Sequence, residues 1–141
     1  MPRLPTLAIA ILMMTSEPAV AQLRIGVAKT DVTPPPGVRM YGYGARGENV
    51  STGVHDALYA KAIVLTDGTR IAAWVTIDLG YVDTPLTNAV RGAVRSELGF
   101  DDVFLTASHT HSGPSFDPDF PSSTDSWMEE LRRQVTATVV E

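Results

Sequence analysis

The sequence contains no cysteine among its 141 residues. Disulfide bonds and thiolate ligands are therefore excluded, and any metal site has to use histidine and oxygen ligands. Basic residues are also scarce, since 11 Lys and Arg against 16 Asp and Glu give a net charge of −5. That balance predicts no nucleic-acid partner. After the N-terminal segment, no apolar run is long enough to cross a bilayer, so we expect no transmembrane segment.

The N-terminal segment has the organisation of an export signal. A short basic stretch at residues 1–3 precedes an apolar stretch at residues 4–14, which is too short to span a membrane. The sequence Ala-Val-Ala at residues 19–21 fits the small-x-small pattern of a cleavage site. We therefore predict that residues 1–21 are a signal peptide, that the mature chain begins at Gln22, and that the protein is secreted or periplasmic.

The rest of the chain predicts an α/β fold. Asp67-Gly68 is typical of a hairpin turn, and the apolar stretch after it resembles a strand covered on both faces. A helix then begins after Asp83 or Thr84 and ends at Gly99. Strand, helix and strand form a βαβ unit, so the strands on either side should be parallel. We expect a mixed sheet with a hairpin and a βαβ unit, built from strands at residues 23–28, 58–66, 71–77 and 103–107.

A second helix is predicted from Thr124 or Asp125, and it still continues at Glu141. A chain that ends inside an amphipathic helix looks truncated. The fold is thus expected to be the incomplete N-terminal portion of a larger catalytic domain. An apolar stripe on this helix is more often core packing, but in a truncated chain we expect it to be exposed, which favours association. The stripe consists of Trp127, Met128, Leu131, Val135 and Val139.

Two of the three histidines, His109 and His111, lie directly after the last predicted strand. If that strand continues through them, both imidazoles leave the same face of the sheet. Two neighbouring imidazoles can bind one divalent metal, and zinc is the metal that such nitrogen ligands most often bind. A hydrogen-bonded histidine pair without a metal is the alternative. Gly113-Pro114 then turns the chain away and leaves the histidines at the mouth of the sheet.

Two further segments should border the same site. Asp78 follows the strand that is expected to be parallel to the strand before His109, so both residues should lie at one sheet edge. Asp78 could ligate a metal, accept a hydrogen bond that orients an imidazole, or cap the following turn. The glycine-rich aromatic loop at residues 40–47 could form a pocket wall, because glycine allows close backbone approach. An ordered surface loop with packed tyrosines is the alternative.

Several segments together resemble the N-terminal part of the neutral/alkaline non-lysosomal ceramidases. The likeness extends from about Leu23 to Pro114, and HTHSGP and TGxxxxLYA are its most diagnostic motifs. The segments are GVAKTDVTP at residues 26–34, MYGY at 40–43, TGVHDALYAKA at 52–62, TIDLG at 76–80 and SHTHSGP at 108–114.

The resemblance implies a zinc-dependent amidase that hydrolyses the N-acyl bond of ceramide to sphingosine and a fatty acid. It implies that His109 is a zinc ligand and that His111 assists proton transfer in the active site. It also implies a structural cation, Ca²⁺ or Mg²⁺, held partly by the backbone carbonyl of His55. Residues 22–141 would then be the N-terminal part of the catalytic domain.

The family's other zinc ligands (a histidine, a glutamate and a tyrosine) and its catalytic serine have no counterpart here, because they lie beyond residue 141. The 141-residue chain alone is therefore expected to be inactive and to lack the C-terminal part of its own domain. Relatives of unknown substrate share these motifs, so a related lipid amide is an alternative to ceramide. Two other functions remain open, namely a non-catalytic binding or scaffold protein and another secreted HxH metallohydrolase.

Overall fold

The computed structural model describes residues 22–115 and 124–140. The predicted signal peptide, most of the loop after the histidine motif and the side chains that would cap the last helix lie outside the described residues. The described elements are four strands, two α-helices and one 3-10 turn. They are β1 (Arg24–Asp31), the 3-10 turn (Gly44–Arg46), β2 (Tyr59–Thr66), β3 (Ile71–Ile77), α1 (Thr84–Leu98), β4 (Asp102–Ala107) and α2 (Thr124–Val140).

The four strands form one sheet in the order β1-β2-β3-β4. The first two pairs are antiparallel, and β3 and β4 are parallel. The structure therefore confirms a mixed α/β sheet with a hairpin and a βαβ unit. The hairpin loop has four residues, in which the Asp67 carboxylate accepts hydrogen bonds from the amides of Thr69 and Arg70, both at 2.8 Å. The first strand is longer than predicted, because β1 continues to Asp31 beside β2.

Helix α1 begins and ends as its sequence predicts. The Asp83 side chain accepts a hydrogen bond from the Leu86 amide at 2.7 Å, and Pro85 occupies the first turn, where no backbone donor is needed. Gly99 ends the helix with φ 67°, a left-handed conformation that glycine adopts without steric cost. The helix buries Leu86, Val90 and Val94.

Both helices cover the same face of the sheet, and α2 lies across β1, β2 and β3. The stripe of α2 is buried, with Leu131 and Val135 at 0% exposure. The Trp127 indole also donates a hydrogen bond to the Val32 carbonyl at 3.1 Å, just beyond β1. The expectation that this stripe is exposed was therefore wrong, because the helix folds back onto the first half of the chain.

The opposite face of the sheet is open. Four directly paired residues, Val27, Ile63, Trp74 and Phe104, form an apolar row across all four strands. They are 77%, 47%, 58% and 52% exposed, respectively. We call this row the open sheet face. The prediction that β3 is covered on both faces was wrong, because α1 and α2 pack on the same side of the sheet.

A candidate histidine site at the edge of the sheet

The histidine pair lies beyond the end of β4. The strand ends at Ala107, and His109 has φ 61°. The strand therefore stops before the motif, contrary to the expectation that it continues through both histidines. Backbone bonds instead attach this segment to the end of β3, from the Ser108 amide to the Ile77 carbonyl, and to the chain just after it, from the Thr110 amide to the Leu79 carbonyl. The two imidazoles still converge, with 3.4 Å between the Nε2 atoms of His109 and His111. The convergence arises from a left-handed turn and not from strand alternation.

The ring of His109 is oriented by a backbone carbonyl. Its Nδ1 lies 2.6 Å from the oxygen of Gly80. A carbonyl can only accept, so Nδ1 carries the proton, and in the neutral ring Nε2 presents its lone pair toward His111. Sequence reasoning allowed Asp78 to orient an imidazole, but in the structure Gly80 makes that contact.

The Asp78 carboxylate binds the neighbouring strand β2. It accepts hydrogen bonds from the Tyr59 amide at 3.1 Å and from the Lys61 ammonium at 3.2 Å. The parallel register of β3 and β4 does place Asp78 at the same sheet edge as the histidines. The carboxylate itself is used to join β3 to β2 at that edge.

The glycine-rich loop forms one wall of the site. The rings of Tyr41 and Tyr43 meet the His111 imidazole edge-on, at centroid distances of 5.3 and 5.2 Å. Between them, Gly42 has φ 78°, and a Cβ at this position would lie 2.5 Å from Cγ of His111. A Cβ on Gly80 would lie 2.1 Å from the Tyr41 ring. Two glycines therefore allow the tyrosines and histidines to pack as one cluster.

The loop is attached to the histidine motif through its backbone and through one side chain. The Tyr41 amide donates to the Gly113 carbonyl at 2.9 Å. Nη1 of Arg46 donates to the carbonyls of Tyr41 at 2.7 Å and His111 at 3.1 Å. Arg46 is not recognisable from the sequence, because a guanidinium that binds backbone carbonyls has no partner side chain to reveal it.

The third histidine has a different environment. The His55 side chain is 96% exposed and pairs with the Asp56 carboxylate at 2.7 Å. This hydrogen bond raises the pKa of the His55 imidazole above its ordinary value. His55 and Asp56 border a cleft of about 480 Å³, which Thr110 and Ser112 of the histidine motif also line. Within residues 22–115 and 124–140, no three His, Asp or Glu side chains form a group that could hold a metal ion.

The fold and the site together define a mixed α/β sheet that presents a histidine pair at the end of two parallel strands. Residues 23–117 match the family described as "Neutral/alkaline non-lysosomal ceramidase, N-terminal". The chain therefore belongs to the neutral/alkaline non-lysosomal ceramidase family, and its matched part is the family's N-terminal region.

Individual relatives agree with this assignment. A neutral ceramidase of Drosophila pseudoobscura pseudoobscura is 32% identical over 68% of this chain and 14% of its own length. The neutral ceramidase of Pseudomonas aeruginosa is 32% identical over 74% of this chain and 17% of its own length. The chain thus spans less than a fifth of the length of these two relatives.

Solved structures share the fold. The crystal structure of neutral ceramidase from Pseudomonas aeruginosa gives a TM-score of 0.68 at 24% identity, over 82% of this chain and 20% of that chain. A ceramidase complexed with C2 gives a TM-score of 0.69 at 23% identity, over 84% of this chain and 20% of that chain. In the part of this protein that the structure describes, no helix is long and apolar enough to cross a membrane.

Proposed function

We propose that this chain is the N-terminal part of a zinc-dependent amidase. Its reaction is hydrolysis of the N-acyl bond of ceramide or a related lipid amide, which yields sphingosine, or the corresponding amine, and a fatty acid. The observation that carries the proposal is the converging pair His109 and His111, which lies inside the segment that matches the ceramidase family.

The orientation of His109 fits a zinc ligand, because its Nε2 presents a lone pair and zinc binds imidazole nitrogen. The Nε2 atom of His111 lies 3.4 Å away. The Gly80 carbonyl holds the proton of His109 on Nδ1, the arrangement that metal-binding histidines commonly use to fix ring and tautomer. We therefore assign His109 Nε2 as the zinc ligand, with the His111 imidazole directly beside it.

Zinc, when bound, lowers the pKa of a coordinated water to about 7 and polarises the amide carbonyl. The residues of this chain provide orientation and proton transfer. Gly80 fixes the His109 ring, and Tyr41 and Tyr43 hold the His111 ring edge-on. In this proposal the His111 imidazole accepts a proton from the attacking water and returns it to the leaving amine.

The proposal includes a second cation and the remainder of the domain. The backbone carbonyl of His55 would be one ligand of a structural Ca²⁺ or Mg²⁺, since both ions prefer oxygen ligands. Catalytic zinc sites commonly use three protein ligands. The remaining zinc ligands and the catalytic serine would come from the part of the domain beyond residue 141, so residues 22–141 alone should not turn over ceramide.

The zinc assignment is tested by single substitutions in the complete enzyme. His109→Ala should lose zinc and ceramide hydrolysis together, because it removes the ligand. His111→Ala should lose activity with a smaller loss of zinc, and His55→Ala should keep the catalytic zinc, because its imidazole is solvent-exposed. Elemental analysis and hydrolysis of a fluorescent short-chain ceramide measure both properties.

Equal zinc content in wild type and His109→Ala would contradict the assignment. Turnover by residues 22–141 that a chelator abolishes and zinc restores would show that the chain completes its own site. In that case the proposal that further ligands lie beyond residue 141 is wrong.

We further propose that the protein is exported, to the periplasm or the medium, after removal of residues 1–21. The basic start, the apolar stretch and the Ala-Val-Ala sequence support this. N-terminal sequencing of the exported product should begin at Gln22. An exported product that retains Met1 would contradict the proposed cleavage.

A further inference from the structure

The His111 imidazole lies between the rings of Tyr41 and Tyr43, and we call this arrangement the slot. The loop that forms it has an unusual backbone conformation. Gly42 and Tyr43 both have positive φ, at 78° and 49°. Glycine adopts this region freely, but for a bulky residue such as tyrosine it is strained. Tyr43 is also largely exposed, so core packing does not force it into this conformation. Some other contact has to hold the slot in place.

Arg46 contacts Tyr41, Tyr43 and His111, the three residues whose rings form the slot. Its Nη1 donates to the carbonyls of Tyr41 and His111, at 2.7 and 3.1 Å. Its guanidinium carbon lies 5.3 Å from the centre of the Tyr43 ring, within the range of a cation–π contact. The 3-10 turn makes this possible, because the Arg46 amide bonds to the Tyr43 carbonyl at 2.8 Å and returns the side chain toward the start of the loop.

These contacts join segments that are far apart in the sequence. Arg46 and His111 are separated by 65 positions. One guanidinium nitrogen holds two carbonyl oxygens, one on the loop and one on the histidine motif. Backbone bonds also join the two segments, from the Tyr41 amide to the Gly113 carbonyl and from the Ser115 amide to the Arg39 carbonyl. Arg46 is the half-buried side chain that bonds to the backbone of His111 itself, so it fixes the distance between that residue and the loop.

We propose that Arg46 is the positioning residue for the His111 imidazole. It does not touch the reacting atoms, and it acts by holding Tyr41 and Tyr43 against the ring. The positioning itself requires only the contacts described above, whereas its effect on turnover rests on the proposed amidase function.

The test uses NMR of the whole chain, in which only three histidines contribute ring signals. Ring currents from two tyrosines should move the His111 signals away from those of His55, which is 96% exposed. Arg46→Met keeps a long apolar stem and removes the donors, so we expect the His111 signals to move to the position of His55. Arg46→Lys keeps a charged donor and should restore most of the separation.

Arg91→Met is the matched control. The Arg91 guanidinium also donates to a backbone carbonyl, that of Val103 at 2.8 Å, but it joins α1 to β4 and does not contact the loop. It should leave the His111 signals unchanged. Unchanged His111 signals in folded Arg46→Met would overturn the proposal. Arg46→Leu, which also has no donor, is the second variant if Arg46→Met does not fold, and unchanged signals there would overturn the proposal equally.

In the complete enzyme, Arg46→Met should lower kcat about 10- to 100-fold with KM and zinc content little changed, because small displacements of a catalytic group have effects of this size. The positioning role of Arg46 and the amidase function can be contradicted independently of each other. Loss of the His111 slot in a protein without amidase activity supports the positioning role and contradicts the function. Amidase activity together with an undisturbed slot in Arg46→Met overturns the positioning role alone.

Discussion

Gly80 contributes two features to the histidine site without having a side chain. Its carbonyl fixes the tautomer of His109, and its missing Cβ leaves space for the ring of Tyr41. Both contacts depend on the close approach of three chain segments, which follow β1, β3 and β4. A substitution at this position therefore acts on a histidine and a tyrosine at the same time.

We expect Gly80→Ala to destabilise the protein by about 1–3 kcal/mol, as overpacking usually does, because the new methyl would lie 2.1 Å from a Tyr41 ring carbon. Gly92→Ala is the matched control, since no heavy atom lies within 4 Å of the Cβ position on α1. It should stabilise by about 0.5–1 kcal/mol through helix propensity. Urea unfolding of the whole chain measures both, and equal stability of Gly80→Ala and wild type would contradict this packing.

Part of the site could be predicted from side chains alone. The parallel strands place Asp78 and the histidine motif at the same end of the sheet. The HxH spacing predicts paired imidazoles on a continuing strand, whereas the observed pair converges through the left-handed turn at His109. The contacts that orient the pair could not be predicted, because the partners are the carbonyls of Gly80, Tyr41 and His111, and every residue has a carbonyl. Glycine-rich loops can be recognised, but their glycines do not reveal which ring they approach.

Helix α2 provides the cover for the first three strands. It is bonded to β1 where the Thr138 hydroxyl donates to the Thr30 hydroxyl at 2.7 Å, and to the residue just beyond β1 where the Trp127 indole donates to the Val32 carbonyl. The core therefore depends on a helix that is remote in sequence from most of the sheet.

Leu131→Ala should destabilise the protein by about 2–5 kcal/mol, because Leu131 is fully buried and its truncation leaves a cavity. Leu98→Ala, at the end of α1, removes the same atoms from a residue that is 37% exposed. Its cost should be clearly smaller. Thermal or urea unfolding compares the pair, and similar losses would mean that α2 does not form part of the core.

The elements were predictable where local chemistry determines them. Asp83, Pro85 and Gly99 mark the ends of α1, and Asp67-Gly68 marks the hairpin. The side on which a helix packs is a tertiary property. An apolar stripe shows that α2 is amphipathic, but it does not show that the strands it packs on lie up to about a hundred positions earlier in the chain. For the same reason, an almost wholly apolar β3 did not reveal that Trp74 is exposed.

At the scale of the whole molecule, the open sheet face is a continuous apolar surface on one side of a thin fold. Exposed apolar rows of this kind favour association. The row crosses all four strands of the described sheet, so a second sheet could pack against it.

We expect residues 22–141 to self-associate through this face in a concentration-dependent manner. Trp74→Thr combined with Phe104→Thr removes the two largest side chains of the row and keeps strand propensity, so it should shift the chain toward monomer. Arg24→Thr, an exposed change on β1 outside the row, is the control. Sedimentation velocity measures the shift. Equal sedimentation of the double variant and wild type would show that association does not use this face.

The contacts between α2 and the start of the chain also affect when the protein can fold during its synthesis. Trp127 and Val32 are 95 positions apart, and Thr138 and Thr30 are 108 positions apart. A ribosome adds roughly 5–20 residues per second, so about 5–20 s pass between synthesis of the strand and synthesis of its cover. During that interval the inner side of β2, which carries Ala60 and Ala62, does not yet have α2 to pack against. A chaperone that assists this protein would therefore act before α2 is complete, and would be displaced by the last helix of the described chain.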